Sequence, residues 1–265
     1  MHDTLSSLVE RALTENYRPL EFYLRENSRL PGPRANLELA QDVAYLLASA
    51  VPKHPENVRS LLNYFANGDH MMVSSNTPDE FVMMCGIIGY GACAAVKPSW
   101  RRETYELLDH YAGSSYWRVR EAVAHAYQRL LSAVPDEVLK HLLELAQDGS
   151  YLQQRAAVAA IAEPIVLYNE EMARKALNLE RLVLQRMREV PPENRKSEDF
   201  RVLRKTLGYA LSVATAVAPQ EGFALMRECA DWHDSDITWI LRENLKKKRL
   251  AKFVKDTAAL TQMLA

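Results

Sequence analysis

Leu152-Gln-Gln-Arg155-Ala-Ala-Val158, Arg201-Val-Leu-Arg204-Lys-Thr-Leu207 and Trp239-Ile-Leu-Arg242-Glu-Asn-Leu245 are three versions of one pattern, with arginine at the fourth place and an apolar residue three places later. Trp117-Arg-Val-Arg120-Glu-Ala-Val123 is a fourth version, and Phe81-Val-Met-Met84-Cys-Gly-Ile87 keeps the apolar site with methionine in place of arginine. The five starts are separated by 36, 35, 49 and 38 residues. The long interval holds an extended helical segment, Glu170 to Val190, and the polar linker Pro191-Pro192-Glu193-Asn194-Arg195-Lys196. Apolar residues three and four apart share one face of a helix. Helix pairs recurring at about 35–47 residues are the mark of HEAT-like repeats. The expected fold is therefore all-α, an α-solenoid of stacked helix pairs (an alpha-alpha superhelix). It is read as one domain over 1–265, with approximate repeats at 4–50, 56–96, 100–133, 135–168, 170–217 and 219–265. One pair cannot bury both of its apolar faces, so pairs stack and the second helices line a concave surface.

Composition agrees with that period. Alanine and leucine, 33 and 35 residues, make up about a quarter of the 265, against 9 glycines, which is the composition of helices. Prolines 19, 55, 98, 135 and 219 stand near the starts of helical segments, where a missing amide hydrogen costs little. Thr77-Pro78-Asp79-Glu80 combines a cap, a proline at the first helical position and a glutamate placed to reach back to the cap amide. Ser197 and Ser235 open later helices in the same manner. Pro164 should end or kink a helix expected over 150–168 near Glu163.

The 33 basic and 34 acidic side chains leave a net charge of −1. That balance excludes a uniformly basic nucleic-acid-binding chain, and the ordinary apolar share excludes disorder. Three cysteines, Cys85, Cys93 and Cys229, are too few and too scattered for a disulfide framework or a zinc site. They fit a reduced, cytoplasmic protein. Charged Glu10 and Arg11 precede any apolar run, so no signal peptide is expected. The longest uncharged stretch, Phe81 to Val96, has 16 residues, short of the roughly 20 that span a bilayer. It reads as a buried helix, and no membrane is expected.

The chain lacks the nucleotide, hydrolase and metalloprotease signatures. Gly86, Gly89 and Gly91 follow no strand and suit close helix packing better than phosphate binding. No two of the seven histidines have the i, i+3 or i+4 spacing of ligands on one helix face. No cofactor and no metal are expected. Met71-Met72 and Met83-Met84 read as gap fillers. Leu30-Pro31-Gly32-Pro33-Arg34 makes a stiff turn, with Asn36 as a cap for the next helix.

Two features stand out. From Arg242 to Lys255, the cations Arg242, Lys246, Lys247, Lys248, Arg249, Lys252 and Lys255 oppose only Glu243, a local charge of +6, with Trp232 and Trp239 just before them. A basic helix beside aromatics suits a phosphate backbone; it also suits a solvated solenoid cap. The second feature is Trp117 with Glu121, Arg155, and Gly208-Tyr209 on successive second helices. As plain structure, Trp117 and Tyr209 would pack between repeats, Glu121 would pair with Arg118 or Arg155, and Arg120 and Arg242 would ladder to neighbouring carboxylates or carbonyls.

The stretch from Pro135-Asp-Glu-Val-Leu through Gly149-Ser-Tyr-Leu-Gln-Gln-Arg155-Ala-Ala-Val, with Leu203-Arg-Lys-Thr-Leu-Gly208-Tyr209-Ala-Leu211, resembles the bacterial DNA alkylation-repair glycosylases of the AlkD type, themselves HEAT-like solenoids. Trp117 with Glu121, and Tyr23-Leu24 through Leu30-Pro31-Gly32, also fall where that family has corresponding residues, so the resemblance spans about 20–215. Here Glu121 stands in place of an aspartate and Tyr209 in place of a tryptophan. The resemblance implies that Glu121 is a catalytic stabiliser of the cationic sugar, that Trp117 and Tyr209 face the base, and that Arg155 and Lys246–Arg249 bind phosphates. The leading expectation is a non-catalytic HEAT-like scaffold whose concave face binds a macromolecular partner, protein or nucleic acid. A DNA-binding protein or alkylpurine DNA glycosylase is the alternative. Either would use Trp117, Arg155, Arg204, Tyr209, Trp239, Arg242, Lys246, Lys247, Lys248 and Arg249.

Overall fold

The computed structural model describes residues 2–67 and 73–265, with side chains from Thr4 onward. Gly68, His70, Met71 and Met72 lie outside the described residues. The chain is all-helical, with no strand among the described residues, and it divides into two compact units, Met1–Pro135 and Asp136–Ala265. The first contains α1 (His2–Ala12), α2 (Arg18–Glu26), α3 (Leu37–Ala50), α4 (Pro55–Asn67), α5 (Pro78–Val96), α6 (Arg101–Ala112) and α7 (Trp117–Ala133). The second contains α8 (Pro135–Asp148), which starts at the boundary, α9 (Tyr151–Ile161), α10 (Glu170–Glu189), α11 (Glu198–Val217), α12 (Pro219–Ala230), α13 (Ser235–Leu245) and α14 (Val254–Met263).

Helix starts follow side-chain oxygens that accept the orphan amides of the first turn. Asn36, Thr77, Ser150, Asn169, Ser197 and Asp234 all do so. Thr77 accepts from the Glu80 amide at 3.4 Å, but the Glu80 carboxylate reaches the Asn76 amide at 2.7 Å, one residue before the expected target. Ser150 and Gln153 form a complete reciprocal box. Asp234, rather than Ser235, caps α13. Ahead of Pro164, α9 stops at Ile161, two residues before the expected end near Glu163, because proline lacks the amide that would continue the ladder.

In the first unit α5 is the central helix, packed by α3, α4 and α7. By length and composition it is apolar enough to cross a membrane, yet 83% of its apolar window is buried within the fold. Its glycines explain how three neighbours come so close. A Cβ on Gly86 would sit 2.6 Å from the Ala66 amide nitrogen, and one on Gly91 would sit 2.5 Å from the Ala126 carbonyl oxygen. Only a residue without a side chain lets backbones approach this closely. In the second unit α11 has the central place, packed by α9, α13, α10 and α12. There the buried Asn244 of α13 accepts from the Ser212 amide at 2.8 Å and donates to the Leu207 carbonyl at 2.7 Å, joining α13 to the backbone of α11.

Candidate functional site

Trp117 opens α7 and remains 44% exposed. Beneath it, the Arg118 guanidinium lies 4.6 Å from the indole centroid. Arg118 is itself buried, its side chain 3% exposed against 0% for Glu80, to which it is paired at 3.6 Å. It also donates to the Gly32 carbonyl at 2.7 Å, and the Gly32 amide donates to the Asn76 side chain at 3.0 Å. The 28–36 turn, the start of α5 and the start of α7 are thus held by one buried charged cluster. Arg118 is therefore not the surface partner expected for Glu121, because it is committed to Glu80. Glu121, one turn along α7 from Trp117, is half-buried. Arg120 donates to the Ser114 and Ser115 carbonyls just before its own helix.

Arg155 on α9 and Tyr209 on α11 are half-buried and both engaged in contacts. Trp117 and Glu121 belong to the first unit; Arg155, Arg204, Tyr209, Trp239 and the basic run belong to the second. Arg204 of α11 pairs with Asp236 in the first turn of α13 and lies 4.4 Å from the Trp239 centroid. Asp236 is shared with Arg195, which also holds Asp234 at 2.6 Å. Behind the indole is Gly208, whose absent Cβ would lie 3.1 Å from the ring. Arg242 of α13 donates to the Leu264 carbonyl at the end of α14. Two of the repeated arginines, Arg204 and Arg242, therefore tie α11 to α13 and α13 to the end of α14.

The basic run is not one helix. In place of the basic helix that the sequence suggests, α13 ends at Leu245 and Lys246 caps it, with a 3-10 turn at Lys248–Leu250 before α14. Burial of Leu250 at 0% exposure anchors the turn, and cations suit the negative end of the α13 dipole. Lys246 pairs with Glu243 at 2.5 Å and Lys252 lies 5.0 Å over the Phe253 ring. Among the described residues Lys247, Lys248, Arg249 and Lys255 form no ion pair, and all but the half-buried Lys247 are exposed.

The cysteines are free and buried, and desolvation pushes the Cys93 and Cys229 thiols up to about 12 and Cys85 higher still. None has the thiolate character of a nucleophile. No three His, Cys, Asp or Glu side chains gather as a metal site among the described residues. The sequence pattern passed over Glu180 of α10, which is fully buried with neither carboxylate oxygen hydrogen-bonded. Burial raises its carboxyl to about 8. Its signal was in the sequence: Glu180 lies in register with Leu177, Leu184 and Met187 on the apolar stripe of α10.

No family model matches the chain, and no curated protein matches it. A crystal structure of an engineered protein aligns over 97% of this chain and 97% of its own, at 12% identity and a TM-score of 0.39. A likeness that low carries no argument about fold or function.

Proposed function

We propose that the chain is a HEAT-like helical-repeat protein that works in the cytoplasm by binding a macromolecular partner, without catalysis of its own. The observation that supports it most is the packing order. Helices α3, α5 and α7 pack in chain order in the first unit, and α9, α11 and α13 do so in the second. Arg204 and Arg242, at the same place in the repeated pattern, tie α11 to α13 and α13 to the end of α14. Such nearest-neighbour stacking is what a repeat array requires. Solution scattering tests this reading. A compact domain of this length has a radius of gyration of about 18 Å; a stacked array should exceed it, and a value at or below it would remove the solenoid.

A nucleic-acid partner, including DNA of the alkylation-repair type, is favoured by one observation: the α13–α14 turn carries cations that no carboxylate offsets. In that reading Glu121 stabilises the sugar cation, Trp117 and Tyr209 face the base, and Arg155 acts with the turn on phosphates.

A further inference from the structure

We propose that the groove between α13 and α14 is the docking site for an acidic amphipathic helix of a protein partner. The proposal rests on the binding reading above and gives that partner a chemistry. The groove is a pocket of about 620 Å³, walled by Trp239, Arg242, Leu245, Lys246, Thr261 and Leu264. Trp239, Arg242 and Lys246 stand at i, i+3 and i+7 and so share one face of α13. On α14, Val254, Ala258 and Thr261 recur at helical spacing and are all exposed, Val254 by 69%, with the exposed Ala265 just beyond the helix end. The groove thus continues along α14 as a strip of small and apolar side chains.

Its geometry is set before anything binds. The Trp239 indole is fixed between the Arg204 guanidinium at 4.4 Å and the Gly208 backbone. Arg242 bonds the Leu264 carbonyl, linking the two walls. A rigid aromatic wall lowers the ordering cost of association. The floor is apolar through Leu245 and Leu264, while the rim is cationic through Arg242 and Lys246 and continues into Lys247, Lys248 and Arg249. The side-chain carboxylate of the rim, Glu243, is matched by Lys246, so the surplus positive charge is that of Lys247, Lys248 and Arg249 in the adjoining turn.

This combination selects an occupant. A phosphate backbone would use the cations of the rim but leave the Leu245 and Leu264 floor unmatched, whereas a helix with an apolar stripe flanked by glutamates matches floor and rim together. An apolar stripe in a hydrophobic groove is a common mode of helix recognition, and the surplus cations speed encounter with an acidic partner.

The test uses the full chain and a fluorescein-labelled Leu/Ala/Glu helix of roughly two to three heptads. Three comparison probes accompany it: the same peptide with every Glu replaced by Lys, a duplex DNA, and phosphatidylserine vesicles. The acidic helix should bind with micromolar affinity and shift the Trp239 indole N–H signal, identified by its loss in Trp239→Phe. Lys246→Glu combined with Thr261→Glu, both at exposed positions, should weaken binding at least tenfold and leave the circular dichroism spectrum unchanged. The proposal is overturned if the acidic helix does not bind at about 50 mM salt, if the lysine peptide binds equally well, or if the Trp239 signal stays still. It is equally overturned if duplex or vesicles, and not the peptide, lose binding in the double variant. A radius of gyration above that of a compact domain would keep the repeat reading intact even then, so the two fail separately.

Discussion

Replacing Arg118 by leucine should lower the stability of the first unit by about 3–5 kcal/mol, the usual cost of leaving one member of a buried ion pair alone. The cause is specific. Glu80 is 0% exposed and would keep only the Asn76 amide as a donor, while the Gly32 carbonyl would lose the guanidinium at 2.7 Å. One Glu80 oxygen and the Arg118 Nε already lack partners, so the cluster has little reserve. Adding Glu80→Gln to Arg118→Leu should recover most of the loss, because a neutral amide is far cheaper to bury than a carboxylate. Urea midpoints of the two variants measure this. A loss below about 1 kcal/mol for Arg118→Leu would mean that the pair is solvated and the 28–36 turn is held by other contacts.

Glu180 should make stability fall as pH rises. Its carboxyl titrates at about 8 in the fold against an ordinary value of 4.5, with burial as the cause. Between those values the folded chain binds more protons than the unfolded chain, so each step up in pH disfavours folding. The contribution is fully present below about pH 4.5 and gone above about pH 8, a span worth about 5 kcal/mol. Glu180→Gln mimics the protonated form at every pH. It should match the parent near pH 4.5, exceed it by several kcal/mol at pH 8, and remove that part of the slope. Thermal or denaturant unfolding at a series of pH values reads it directly. An unchanged slope in Glu180→Gln would show that water or a partner reaches the carboxylate.

The same two residues show what the sequence made legible. Helix positions were readable because caps, prolines and apolar spacing are local signals: Thr77-Pro78 and Ser197 start helices where the pattern places them, and Pro164 marks a stop. The central place of α5 was readable from its uninterrupted apolar run. The interior charges were not. Arg118 shares a helix face with Ala122 and Ala126, yet a charged residue beside small ones also suits an exposed edge, where Arg118 and Arg155 are equally open as partners of Glu121. Its true partner, Glu80, lies 38 positions earlier, and nothing local connects them. Arg242 was legible as a tie from the repeated pattern, whereas Arg204, at the same place in its own repeat, was expected only as a binding residue and pairs with Asp236. The basic run was legible as charge, but its break at Leu245 depends on the burial of Leu250 in tertiary packing.

Base release from duplex DNA carrying 7-methylguanine separates a protein that only binds, as proposed, from a glycosylase. No release above the rate without protein is expected, from the parent and from Glu121→Gln alike. Release by the parent that disappears in Glu121→Gln, with the fold intact, would contradict it and make Glu121 a catalytic residue.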